Sequence, residues 1–133
     1  MDHMELQRLG ISHCGLPEEA IRSFKRAIRV SPVDPGLHMT LIGIGVASIE
    51  LRRFDEAIVA GKKAQRQNSS WSGVYRCLAS AFAHLGRDSE AHDAAARLLE
   101  IEPAFTVSAF NARARLSNAK RFIEGLRKAG LPE

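Results

Sequence analysis

The chain has 133 residues, 45% of them hydrophobic and only 6% aromatic, enough for the core of one compact unit or a short array. No run reaches the roughly 18 apolar residues that span a membrane, and the N-terminus lacks the basic-then-apolar order of a signal peptide, so the expected location is the cytoplasm. The formal charge of +4 is too small to argue for nucleic acid by itself.

Apolar spacing predicts helices at about 4–13, 17–31, 36–52, 54–68, 71–86, 88–102, 106–115 and 118–129, with no strand candidate. The first, Met4 to His13, is short and lacks a regular large-small-large pattern; it reads as a truncated or atypical element. The turn Cys14-Gly15-Leu16-Pro17 follows, with glycine closing one helix and proline opening the next. The second helix carries Glu19-Ala20-x-x-x-Phe24 and leads to Pro32. Arg22, Lys25, Arg26 and Arg29 share a face here, with no aromatic residue interleaved for base stacking. That pattern reads as a solvated outer surface and predicts no nucleic-acid partner.

The third helix carries Leu41-x-x-Ile44-Gly45-x-x-Ser48, and residues 39 to 49 contain no charge. One stripe holds Leu41, Ile44, Ser48 and Leu51; the other holds Met39, Ile42, Val46 and Ile49. A helix apolar all round is buried on more than one side. The fourth helix has Glu56-Ala57-x-x-x-Gly61 leading to Ser69. The fifth has Tyr75-x-x-Leu78-Ala79-x-x-Phe82, a turn at Leu85-Gly86-Arg87, and then the sixth has Glu90-Ala91-x-x-x-Ala95 leading to Pro103. Ala57 and Ala91 lie 34 residues apart and Ala20 and Ala57 37 apart, the extra three being a loop at Val33-Asp34-Pro35.

This serial pattern resembles the tetratricopeptide repeat (TPR). Close helix packing requires the small residues Gly45 and Ala79 to face Ala57 and Ala91, while Phe24, Tyr75, Leu78 and Phe82 fill the space between neighbours and Pro32 and Pro103 end their units. Arg52 stands where a turn glycine is usual, Gly61 where an aromatic is usual, and Ser69 where the closing proline is usual. The resemblance implies an all-α superhelix: one domain over 1–133, hairpins at about 4–31, 36–68 and 71–102, and capping helices at about 106–129. It also implies a concave groove holding a protein or peptide. The register places Met39, Ile42, Val46 and Ile49 there, or buries them in the core, and adds Arg76, Ser80, Ala83, His84, Phe110 and Asn111. An apolar floor with one arginine suits an amphipathic helix or a peptide carrying a carboxylate. Burial of the Met39–Ile49 stripe between two copies, giving a homodimer, is the alternative.

Catalysis is not expected. His3, His13, His38, His84 and His92 form no metal-binding spacing, no serine or cysteine sits in a nucleophile elbow, and Gly43-x-Gly45 lies inside a helix rather than in a phosphate loop. No cofactor is expected either. Cys14 and Cys77 belong to no paired motif and are read as reduced thiols.

The C-terminal third runs Leu98-Leu99-Glu100-Ile101-Glu102-Pro103-Ala104-Phe105-Thr106-Val107-Ser108, and ends Phe122-Ile123-Glu124-Gly125-Leu126-Arg127-Lys128-Ala129-Gly130-Leu131-Pro132-Glu133. With Ser31-Pro32-x-Asp34-Pro35 and Arg66-x-Asn68, it resembles the C-terminal repeat region of bacterial, mostly alphaproteobacterial, class III adenylate or guanylate cyclases. That likeness implies a regulatory or scaffolding region without the catalytic half. The chain then reads as the end of such a signalling protein, cut within the first hairpin, or as a free-standing adaptor. Phe122, Ile123 and Leu126 share one face of the last helix, which reads as a cap over an otherwise exposed end, or as a mimic of a peptide that docks in another copy's groove.

Overall fold

A computed structural model describes residues 17–114 and 119–133; the expected helix at 4–13, with Cys14, lies outside them. The described residues form seven helices and no strand: α1 (Pro17–Val30), α2 (Leu37–Glu50), α3 (Phe54–Gln67), α4 (Ser72–His84), α5 (Asp88–Ile101), α6 (Val107–Ala114) and α7 (Lys120–Lys128). The expected bounds were one or two residues too long at several ends, where turn residues had been counted as helix.

Local chemistry accounts for the helix starts and stops. Pro17 occupies the first turn of α1, where its missing N–H has no intrahelical partner to lose, and Glu18 and Glu19 complement the helix dipole. Asp55 and Glu56 do the same for α3, and Asp88 and Glu90 for α5. In the loop before α2, the Asp34 carboxylate accepts the Gly36 N–H at 2.7 Å and the Asp34 carbonyl accepts the Leu37 N–H at 3.0 Å.

The 34-residue period is visible in backbone geometry. After α2 the Arg53 N–H bonds the Ser48 carbonyl at 2.8 Å; after α4 the Arg87 N–H bonds the Phe82 carbonyl at 3.0 Å. Arg52 and Gly86, at the same place in these two turns, have φ of 63° and 73°. Both turns are Schellman closures, in which a left-handed residue redirects the last carbonyls of the helix. A third closes α7 at Gly130, with φ of 90°. Arg52 therefore keeps the conformation of the glycine it replaces, at the steric cost of a Cβ. Arg52→Gly is expected to stabilise the protein by about 0.5–1 kcal/mol, read as a higher urea midpoint at unchanged slope.

Packing follows the small residues. A Cβ on Gly43 would lie 2.7 Å from the Phe24 ring, so α1 seats its one fully buried aromatic against α2. A Cβ on Gly45 would lie 2.5 Å from Cys77 Sγ and 3.6 Å from the Ala57 carbonyl, so the Gly45–Ala57 approach also admits α4. Leu78 fills the space over Gly61, where a Cβ would come within 2.7 Å of it. The aromatic missing from position 61 is thus replaced by a leucine from the next helix. Burial pushes the Cys77 thiol up to about 12, which keeps it protonated and inert.

Each of α1 to α4 packs against the next, and α2 also touches α4. The chain then turns back: α7 packs on α4 and α2, and α6 on α7. Nine consecutive residues of α2, Leu41 to Ile49, are buried, as its all-round apolarity demands. Among the described residues no helix is long and apolar enough to cross a membrane.

Candidate functional site

The surface formed by α2 and α4 is where the sequence places the groove, and α7 lies in it. Ile42, Val46 and Ile49 are 2%, 0% and 0% exposed, sharing one apolar cluster with Val74 of α4 and with Phe122, Ile123 and Leu126 of α7. Of the two readings of this stripe, the structure shows burial for these three residues: α7 of the same chain covers the surface. Met39 is half-buried near Gly36, and Asn111 is exposed.

The contacts that hold α7 are polar as well as apolar. Ala119 precedes α7 and supplies no side-chain cap. Glu50, the last residue of α2, supplies one from across the groove: its carboxylate accepts the Phe122 N–H at 2.7 Å and the Arg121 N–H at 3.4 Å. The Arg121 guanidinium in turn donates to the Glu50 carbonyl. A carboxylate at a helix N-terminus satisfies donors that have no intrahelical partner and meets the positive end of the dipole.

From α4, His84 Nε2 lies 2.7 Å from the Arg121 carbonyl and the Ser80 hydroxyl donates to the Phe122 carbonyl at 2.9 Å. Because a carbonyl only accepts, Nε2 carries the hydrogen. The ring is held by stacking on Phe54, with centroids 4.8 Å apart and planes 9° from parallel. Gly125 makes this approach possible, since a Cβ there would lie 2.8 to 2.9 Å from the His84 ring and closer still to the Ser80 hydroxyl.

Arg76, read from sequence as a clamp for a ligand carboxylate, already has one. It donates to Ser72 Oγ at 2.9 Å and lies 3.6 Å from Glu102, while its guanidinium sits 4.7 Å from the centre of the Phe110 ring. Burial lowers its pKa to about 10 despite Glu102, leaving it charged at neutral pH. Phe110 is itself buried, edge-on to Phe122 at 6.1 Å. Of the ten groove candidates, the fold gathers Ile42, Val46, Ile49, Ser80 and His84 under α7, buries Ala83 in the same apolar cluster, and puts Arg76 and Phe110 in an adjoining internal cluster.

Two contributors escaped the sequence reading. Glu50 is the first charge after the uncharged run of 39 to 49, and it stands 34 positions before His84. Equivalent positions of two repeats thus grip the same turn of α7, one through its N–H groups and one through a carbonyl. The second is the tail: the Pro132 carbonyl accepts the Val107 N–H that opens α6 at 2.8 Å, Leu131 is buried, and Glu133 pairs with Arg127 at 2.9 Å.

Burial of Glu50 raises its pKa above the ordinary value of 4.5, against the opposing N–H groups of Phe122 and Arg121 and the charges of Arg121 and His84. A carboxyl with a raised folded-state pKa binds its proton more tightly folded than unfolded. Its contribution is full below the ordinary pKa and is lost as pH rises through the raised one. Stability is expected to fall with rising pH in the window just above 4.5. Glu50→Gln, which keeps an acceptor for α7, is expected to flatten that part of the profile in urea titrations across pH 4 to 7.

The described basic face of α1, Arg22, Lys25, Arg26 and Arg29, is exposed. Among the described residues no three His, Cys, Asp or Glu side chains gather in a metal-binding arrangement. Comparison with protein-family models gives no match, and none of the curated proteins matches the chain.

Proposed function

We propose that this chain is a non-catalytic interaction module of the tetratricopeptide class, whose groove between α2 and α4 recognises a short amphipathic helix. The observation that carries the reading is the seating of α7. Glu50, His84 and Ser80 address its backbone N–H and carbonyl groups rather than its side chains, while Ile42, Val46 and Ile49 contribute to the apolar core it joins. Backbone-directed contacts suit any helix with a small residue at the position of Gly125 and apolar residues on the same face. The 34-residue recurrence of the turns at Arg52 and Gly86 supports the repeat class. Within that class, the resemblance to the C-terminal region of class III nucleotide cyclases favours a regulatory or scaffolding role in a cytoplasmic signalling protein, with chemistry performed elsewhere.

The reading is tested in the full chain. Gly125→Leu denies α7 its place, and a synthetic peptide of residues 119–133 added in trans is then expected to bind the variant and not the parent, by calorimetry. A variant that keeps its helical circular dichroism but takes up no peptide would overturn the reading. Burial of Ile42, Val46 and Ile49 within one chain accounts for their apolarity without a second copy.

A further inference from the structure

Two clefts on the surface away from α7 occupy equivalent places in successive repeats, and they differ most in their rings. The cleft among α3, α4 and α5, about 310 Å³, contains the Tyr75 and Phe82 side chains, with cations over them. Lys62 Nζ lies 5.8 Å and the Arg87 guanidinium 4.9 Å from the centre of the Phe82 ring, and Arg97 lies 5.8 Å from that of Tyr75. The cleft among α1, α2 and α3, about 450 Å³, has Leu41 in place of Tyr75 and Ser48 in place of Phe82. Every cation is retained: Lys25, Arg53 and Lys63 stand at the positions of Lys62, Arg87 and Arg97, and all three line the cleft.

The rings are gone and their clasps remain. Ser48, which stands in place of Phe82, is 1% exposed, and its hydroxyl has no hydrogen-bond partner. An unpartnered buried hydroxyl is a cost that burial of a phenylalanine at the same place would not incur. Val59 stands where the other cleft has Asp93, so an exposed apolar side chain now flanks the opening. Lys25 and Lys63 are in no ion pair among the described residues, whereas Arg53 pairs with Glu18 at 3.0 Å, much as Arg87 pairs with Glu90 at 2.7 Å.

We infer that this cleft is a binding site for an aromatic side chain of a partner protein, which takes the place that Phe82 fills in the next repeat. An aromatic ring matches the apolar floor of Ile21, Leu41 and Ile44 and offers its π-faces to Lys25 and Arg53. These 133 residues do not supply the ring. Residues 1–16 and 115–118 contain no Phe, Tyr or Trp, and none of the rings of the described residues is exposed. The site lies outside the groove that α7 occupies, so its failure would leave the groove reading intact.

The test is methyl NMR on the full chain, titrated with N-acetyl-phenylalaninamide and, separately, with its cyclohexyl analogue, which has the same bulk and no π-face. Saturable shifts at the methyls of Ile21, Ile44 and Val59 are expected for the aromatic probe, with the cyclohexyl probe about five-fold or more weaker. Lys25→Gln, on the surface, is expected to weaken the aromatic probe alone. Ser48→Phe, which puts a ring back from within, is expected to abolish binding and raise the melting temperature. Equal affinity for the two probes, or shifts confined to residues outside the cleft, would overturn the assignment.

Discussion

Gly125→Leu is expected to release α7 from the groove at a loss of about 3–5 kcal/mol, the scale of losing a well-packed large apolar side chain from a core. Any Cβ at this position would stand 2.8 Å from the His84 ring, and a leucine adds three further carbons with nowhere to go. His84 and Ser80 are themselves bonded to α7, so they cannot yield without giving up the Arg121 and Phe122 carbonyls. Release also uncovers Phe122, Ile123 and Leu126, which are 2%, 4% and 0% exposed. The measurement is amide hydrogen exchange with a urea titration. Protection in α7 is expected to vanish while α3 and α5 keep theirs, because α7 packs on α2, α4 and α6. Unchanged protection of Phe122 to Leu126 would show that the helix does not depend on the close approach at Gly125.

Ile49→Glu is expected to cost more than about 4 kcal/mol, since it places a carboxylate where no water reaches. Ile49 is fully buried in the cluster that α2 shares with α4 and α7, and it sits one residue before Glu50. The carboxylate would have to be protonated, at a cost in desolvation, or drag the end of α2 open and so break the Glu50 contact with α7. Light scattering across a dilution series, paired with thermal melts, separates two explanations of the apolar stripe. The structure's account expects a variant that melts early at every concentration with no folded monomer-to-dimer change. A variant that stays folded and only changes its stoichiometry would put the stripe between copies instead.

Much of the helical framework is legible in the chain. The spacing of Ala20, Ala57 and Ala91, the first-turn acids, and the glycine at 86 are local signals, and each is set by forces acting within a few residues: dipole complementarity, caps, and the narrow choice of side chains where two helices touch. Together with the apolar spacing they place the seven described helices to within about two residues, a margin that fraying and turn closure produce at helix ends. Even the irregular turn at Arg52 was visible as a missing glycine, although only the backbone shows that the left-handed conformation survives the substitution.

The candidate site was legible as a set of residues and not as an arrangement. The register along α2 and α4 correctly brings Ile42, Val46, Ile49, Ser80 and His84 to one surface, because a helical period is a local property. What covers that surface depends on a contact between residues about 40 to 70 positions apart, such as Ser80 with Phe122 and Glu50 with Phe122. No periodicity encodes such a contact. The same holds for Arg76, whose charge is visible in sequence and whose partner, Glu102, is a matter of how α4 meets the start of the segment leading to α6.

By itself, then, the sequence determined the helices, their turns and the small-residue faces on which successive helices meet, since these follow from side-chain volume and backbone preference over short spans. Only the tertiary structure decided that α7 fills the groove, that Glu50 caps it from another helix, and that a cleft near Ser48 keeps the cations of its neighbour without the rings. Those outcomes depend on desolvation and long-range packing, where the free energy of a contact is set by everything that surrounds it.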